Sequence, residues 1–268
     1  MGMTVERNFY LVISLFIVVN LAYADVSITV DNKYKYFKTD GLPNHATGPF
    51  PCPGNPNSIM AQNKAYKVSA SPKLTDSAQY FGHDMLFGIA INGVVFDPPT
   101  IEYYNNDTNW NYEALSGKIN LGIDYSNAHV QPNGAYHYHG LPIGLLQTLS
   151  ADQLLSPIGY AADGFAIYAA YGQSKAKIKS SYRLKSGTRY GGPGGRYDGT
   201  FLQDYEYVAG LGNLDECNGV VAETPDTKKK VYHYYVTEAF PFVPRCFKGV
   251  SDDSFKKRGG MGMKRGRP

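Results

Sequence analysis

A mainly β fold, as a single β-sandwich or partly closed barrel-like domain with long loops, is what this sequence predicts, with an α+β arrangement as the alternative. Three observations carry the prediction. Short apolar or alternating segments recur at close spacing, bounded by Gly, Pro, Asn and Asp. Windows with a helical period are few and short. The segments are aromatic and β-branched, in a chain with 23 tyrosines and 13 phenylalanines, and such residues suit a pleated, half-buried surface.

The elements follow in order. Residues 26–30 alternate cleanly, and residues 66–70 are similar. Residues 86–91 run into Asn92-Gly93 and resume at 94–96, which reads as a hairpin. Residues 108–115 form a short helical window. Residues 129–139 predict a second hairpin, turned at Pro132-Asn133-Gly134. Residues 151–155 allow a turn or two of helix before Pro157. Residues 164–171 and 231–237 are aromatic, β-branched strands. The glycine-rich run over 187–199 lacks the Lys-Ser/Thr ending of a phosphate loop and is interrupted by Pro193, so it reads as a mobile surface flap. Many short strands at such spacing favour a sandwich or barrel. Tyr136-His137-Tyr138 is echoed by Tyr232-His233-Tyr234. No fixed period supports a repeat, and three residues match easily in a tyrosine-rich chain.

Residues 1–24 read as an export signal. Arg7 gives a positive start, residues 10–21 are apolar, and Ala22-Tyr23-Ala24 is an A-x-A cleavage site. The apolar stretch falls short of the roughly 20 residues of a membrane span, and no later segment is longer, so an integral membrane protein is not expected. The expectation is a secreted, periplasmic or cell-envelope protein beginning at Asp25. Residues 25–250 hold no linker and are expected to be one domain. Residues 251–268 are basic and glycine-rich and should be disordered. Lys256, Lys257, Arg258, Lys264, Arg265 and Arg267 meet no acid after Asp253, so the net charge of +3 belongs to this tail. The tail can contact anionic surfaces; no specific nucleic-acid partner is expected.

One constellation points at chemistry: His129, His137 and His139 are three of the six histidines. With residues 132–134 as the loop, Gln131 faces Ala135 and His129 lies opposite His137. His137 and His139 are two apart and project from one face of a strand. Imidazoles so placed converge on one ion, zinc or copper by ligand type. A fourth ligand is expected from His233, from a carboxylate such as Asp163 or Glu206, or from water. Three protein ligands with water would make an open, catalytic type of site, and four a closed one. Two other readings stand beside this one. The histidines can form a metal-free aromatic ladder, donating to backbone carbonyls, or an acid–base site. Asp163-Gly164 is either an aspartate at a strand mouth or a turn aspartate.

Other motifs say less. Asp215-Glu216 matches no calcium loop, and His83-Asp84 are neighbours that a strand would point to opposite sides. His45 lies in a Pro/Gly-rich segment and should be exposed. There is no G-x-S-x-G elbow, H-E-x-x-H pair or dinucleotide fingerprint. Asn106-Asp107-Thr108 is a glycosylation sequon. Three cysteines leave one over. A Cys217–Cys246 bridge would close a loop of about 30 residues and contribute roughly 3–4 kcal/mol, but the connectivity stays open at this point.

Around Tyr136-His137-Tyr138-His139 the chain resembles the YHYH domain family. The likeness runs through residues 87–97, 110–115, 127–140, 159–165, 186–206 and 214–219 to Tyr232-His233-Tyr234, covering roughly residues 30–250. It implies export and domain bounds. The family carries no assigned reaction, so no catalytic residue is transferred. Cys52 is less typical of its pattern than Cys217 and Cys246, so the resemblance implies that the latter two pair. A short likeness of 134–139 to multicopper oxidase strands lacks their repeated His-x-His pairs and Cys-flanked copper loop. Two functions therefore remain in view. One is an exported protein binding a metal through His129, His137 and His139, with His233 or Asp163 completing the shell. The other is a metal-free envelope or matrix module whose tyrosines and glycine-rich loop grip a carbohydrate or peptide.

Overall fold

The computed structural model describes residues 25–172 and 176–257, so the expected export signal and the tail beyond 257 lie outside the described residues. The fold is mainly β, dominated by one curled half-barrel sheet of eight strands. The strands in chain order are β1 (Val26–Val30), β2 (Tyr34–Thr39), β3 (Lys64–Ser69), β4 (Gln79–Tyr80), β5 (Gly88–Ala90), β6 (Val95–Phe96), β7 (Ala128–Val130) and β8 (Tyr136–Tyr138). After helix α1 (Ile143–Thr148) come β9 (Gly159–Ala161), β10 (Ala166–Ala169), β11 (Tyr182–Leu184), β12 (Tyr205–Tyr207), β13 (Gly219–Glu223), β14 (Lys230–Val236) and β15 (Cys246–Phe247). The large sheet runs β13-β14-β10-β9-β5-β6-β8-β7. Three smaller sheets are β1-β2-β3, β11-β12 and β15-β4.

Alternation decides which side chains meet. Along β8, Tyr136 and Tyr138 enter the main core, and along β14 so do Tyr232 and Tyr234. Their sequence neighbours must face the other way. His233 and Tyr235 accordingly lie with Tyr168 on the outer face, where Tyr168, Ala170, Leu214 and Tyr235 form a second small cluster. Phe37 and Val68 bring the three-stranded sheet onto the same core as Phe87, Ile89 and Phe96. Cys217 and Cys246 are disulfide-bonded and fully buried, and Cys52 is free.

Several local expectations change. Residues 108–115 are not helical, because the Asn111 side chain donates to the Thr100 and Glu102 carbonyls and its backbone bridges to Tyr103. The glycine-rich run is pinned: Thr188 bridges Arg196, and the buried Arg189 guanidinium donates to Asp198 and to fully buried Asp204. Helix α1 was not anticipated, since it carries Gly144 and has no capping side chain. Its buried Leu145 and Leu146 hold it instead. His45 is only partly exposed, its Nε2 lying 2.7 Å from the Tyr138 hydroxyl.

Residues just beyond 250 also pack on the core. Residues 253–255 form a short 3-10 turn, Phe255 is fully buried with its ring 4.7 Å from that of Tyr66, and Met85 bridges Lys256. Charge patterning alone concealed an aromatic anchor inside a basic stretch. Phe255→Ala should lower stability by about 3–5 kcal/mol in urea titrations. A loss below about 0.5 kcal/mol would return the segment to the tail.

Asp163 is a buried turn residue: its carboxylate accepts from the Tyr234 hydroxyl at 2.6 Å and from the Gly249 and Phe165 amides. Burial raises its pKa to about 6 despite those donors. Between about pH 4 and 6 the folded chain then holds a proton that the unfolded chain has released, so stability falls with rising pH across that window by up to about 2–3 kcal/mol and levels off above it. Asp163→Asn should flatten this slope in denaturant melts taken from pH 4 to 7. An unchanged slope would assign it to another group.

Candidate metal centre

The β7–β8 hairpin forms for local reasons. The Gly134 amide donates to the Gln131 carbonyl, and the Gln131 amide donates to Ala135. Gly134 takes φ of +81°, and a Cβ there would meet the Met60 Cβ at 2.5 Å, so only glycine fits this close three-residue loop. The resulting register places His129 directly opposite His137. Behind the sheet, the Asp124 carboxylate accepts from the Ser126 and Ala128 amides and from the Tyr136 hydroxyl, which fixes where β7 begins against β8.

On the other face the three imidazoles meet. Ring centroids lie 4.6 Å apart for His129–His137 and 4.8 Å for both His129–His139 and His137–His139. One nitrogen from each ring falls within 4.8 Å of the others, and His137 Nε2 is 3.0 Å from His139 Nε2. His137 and His139 are buried and His129 is half-buried. Each Nδ1 faces a backbone carbonyl: Leu121 at 2.9 Å from His129, Ala135 at 3.3 Å from His137, Pro98 at 3.4 Å from His139. A carbonyl only accepts, so this arrangement favours Nδ1–H in all three rings and leaves three Nε2 lone pairs converging. Burial lowers all three pKa values, those of His137 and His139 far below the usual range, so all are neutral at pH 7 and competent as ligands.

Two lone pairs 3.0 Å apart repel unless a cation or proton lies between them. Tetrahedral coordination with bonds of about 2.0–2.1 Å puts ligand nitrogens about 3.4 Å apart, so the site needs only small ring movements to close on an ion.

Five residues outside the expected ligand set complete the surroundings. Asp97 follows β6, whose parallel register pairs Val95 with His137 and Phe96 with Tyr138, so Asp97 lies beside His139. It is 1 % exposed, accepts from Lys257 Nζ at 2.7 Å and from Gln131 Nε2 at 2.8 Å, and its pKa is raised by burial. Arg245 donates to the same Pro98 carbonyl that faces His139 and pairs at 2.6 Å with fully buried Glu113. Asp97 and Glu113 lie in stretches that carry the family likeness, but nothing in their spacing marked them as neighbours of the histidines.

The other expected ligands are not gathered. His233 sits on β14, five strand positions from β8, with Nδ1 against the Val231 carbonyl and Nε2 3.3 Å from the Tyr235 hydroxyl. Asp163 is engaged by Tyr234 on the core side. Glu206 pairs with Arg183 at 2.9 Å. Among the described residues, His129, His137 and His139 are the group able to share an ion.

The sequence profile described as YHYH protein matches residues 65–249, which leaves out β1, β2, the first residue of β3 and Lys257. No curated protein and no solved structure matches the chain. With the profile spanning well over half its length, and with the Tyr136-His137-Tyr138-His139 tetrad forming the strand that supplies two of the three clustered imidazoles, this chain belongs to the YHYH protein family.

Proposed function

We propose that this protein binds one zinc or copper ion through the Nε2 atoms of His129, His137 and His139. The supporting observation is the convergence of three neutral imidazoles whose Nδ1 atoms all face carbonyls, the outer-shell arrangement that orients metal-ligating histidines. Among the described residues no fourth ligand joins the three, so a bound ion would keep a position for water or a small ligand. A bound ion would lower the pKa of water there, and Asp97, which the register places beside His139, would be a carboxylate able to accept a proton. A secreted or envelope location accords with the buried disulfide. No helix among the described residues is long and apolar enough to cross a membrane.

The metal-free reading keeps one specific observation. A single Nε2–H···Nε2 bond between His137 and His139 would also explain their 3.0 Å approach, at the loss of one Nδ1–carbonyl bond. Elemental analysis of untagged protein, dialysed against trace zinc and copper, separates the two. About one ion per chain supports the metal site. A metal-free protein whose melting temperature ignores both ions would leave the imidazoles as a hydrogen-bonded ladder.

A further inference from the structure

The large sheet reads identically from both ends. At its centre Gly88 pairs with Ala161, Ile89 with Tyr160 and Ala90 with Gly159. Exchanging Gly88 with Gly159, Ile89 with Tyr160 and Ala90 with Ala161 maps this register onto itself. The flanking bonds obey the same exchange: Ile91 donates to the Ile158 carbonyl and Ala162 to that of Phe87, both near 2.9 Å. A Cβ on Gly88 would meet the Tyr160 carbonyl oxygen at 2.5 Å, and one on Gly159 would meet that of Ile89 at the same distance. Such reciprocity is the mark of a two-fold, isologous contact.

The correspondence continues outward. Asn92-Gly93 and Asp163-Gly164 occupy equivalent turns, with φ of +84° and +94° at the glycines. Asn92 donates to the Tyr138 hydroxyl, and Asp163 accepts from that of Tyr234. Asp124 and Asp215 head matching loops that end in Asn127 and Asn218, both at φ of +55°. The Asp124 carboxylate takes the Ala128 amide and the Tyr136 hydroxyl; that of Asp215 takes the Gly219 amide and the Tyr232 hydroxyl. His139 and Tyr235 then donate their amides to the Asn127 and Asn218 carbonyls. The Tyr136-His137-Tyr138 and Tyr232-His233-Tyr234 echo thus falls at equivalent positions of this two-fold correspondence.

We propose that the sheet is a duplicated four-strand unit whose second copy retains a dormant metal position on its outer face, around His233. Register assigns the counterparts. His137 pairs with His129, and His233 pairs with Val220. Tyr235 stands where His139 stands, and Tyr168 where Asp97 stands, since β6 meets β8 as β10 meets β14. The Tyr168 ring lies 5.1 Å from that of His233, edge to face. The same comparison sorts the first copy. Tyr136, Tyr138, Asp124 and Asn127 recur or are matched in the second copy and are scaffold. His129, His139 and Asp97 are replaced by Val220, Tyr235 and Tyr168, so these three define the open site, and Asp97 joins it as a functional group.

The duplication rests on backbone register alone, whereas the dormant metal position rests also on the metal reading of the first copy, whose own failure would be seen separately as parent protein with all its histidines that holds no zinc or copper. The test uses cobalt(II), followed by visible absorption and cobalt content. In a His137→Ala/His139→Ala chain, which silences the first site, Val220→His, Tyr168→Asp and Tyr235→His are added together. The expected result is about one cobalt per chain in the rebuilt protein and none in its parent. A gentler variant adds only Val220→His and should bind cobalt more weakly, with binding lost on His233→Ala. A folded protein of either kind without His233-dependent cobalt binding overturns the proposal. Failure of both to fold overturns it too, because a position shaped for imidazole accepts one.

Discussion

Replacing His137 and His139 together by alanine should reduce bound zinc or copper from about one ion per chain to less than about a tenth, with the fold retained. The two rings contribute the nitrogens that approach to 3.0 Å, and the one remaining imidazole cannot hold an ion against water. The tyrosines on either side of His137 enter the core from the opposite face, so the hairpin keeps its anchors. His233→Ala serves as the discriminating control. With His233 five strand positions away, its removal should leave metal content unchanged. Metal content that ignored the double replacement but fell with His233→Ala would sink the assignment.

Loss of the Cys217–Cys246 bridge should be a large structural effect, comparable to that of Phe255→Ala. Its sequence separation is 29, so opening it frees a loop worth about 3.5 kcal/mol in the chain-entropy description. Cys217 lies in the Asp215–Asn218 loop ahead of β13, and Cys246 opens β15, directly after Arg245. Arg245 holds the Pro98 carbonyl that faces His139, so the bridge steadies a contact next to the imidazoles. Cys217→Ala/Cys246→Ala should therefore lower denaturant stability by roughly 3–4 kcal/mol and weaken metal binding by about tenfold. Stability within about 1 kcal/mol of the parent would show the bridge to be dispensable.

How much of this was legible in the sequence depends on the distance over which each contact acts. The histidine hairpin was legible because its turn residues, alternation and register are all local to residues 129–139. The same holds for the Asn92-Gly93 turn. Asp97 escaped because its partners Gln131 and Lys257 lie 34 and 160 residues away, and Arg245 meets Glu113 across 132. His233 and Asp163 were drawn into the expected shell because strand order cannot be read from one chain. The curled sheet places their strands on the far half. The duplication stayed hidden for a different reason. What the halves share is register and hydrogen bonding, which Val95 and Ala166, or Phe96 and Ile167, satisfy equally well without looking alike.

Lys257, the last described residue, donates to Asp97, and Phe255 just before it fills the core. The hairpin bearing the imidazoles is synthesised more than a hundred residues earlier. During synthesis the histidines thus emerge before Lys257, which supplies the counter-charge to Asp97.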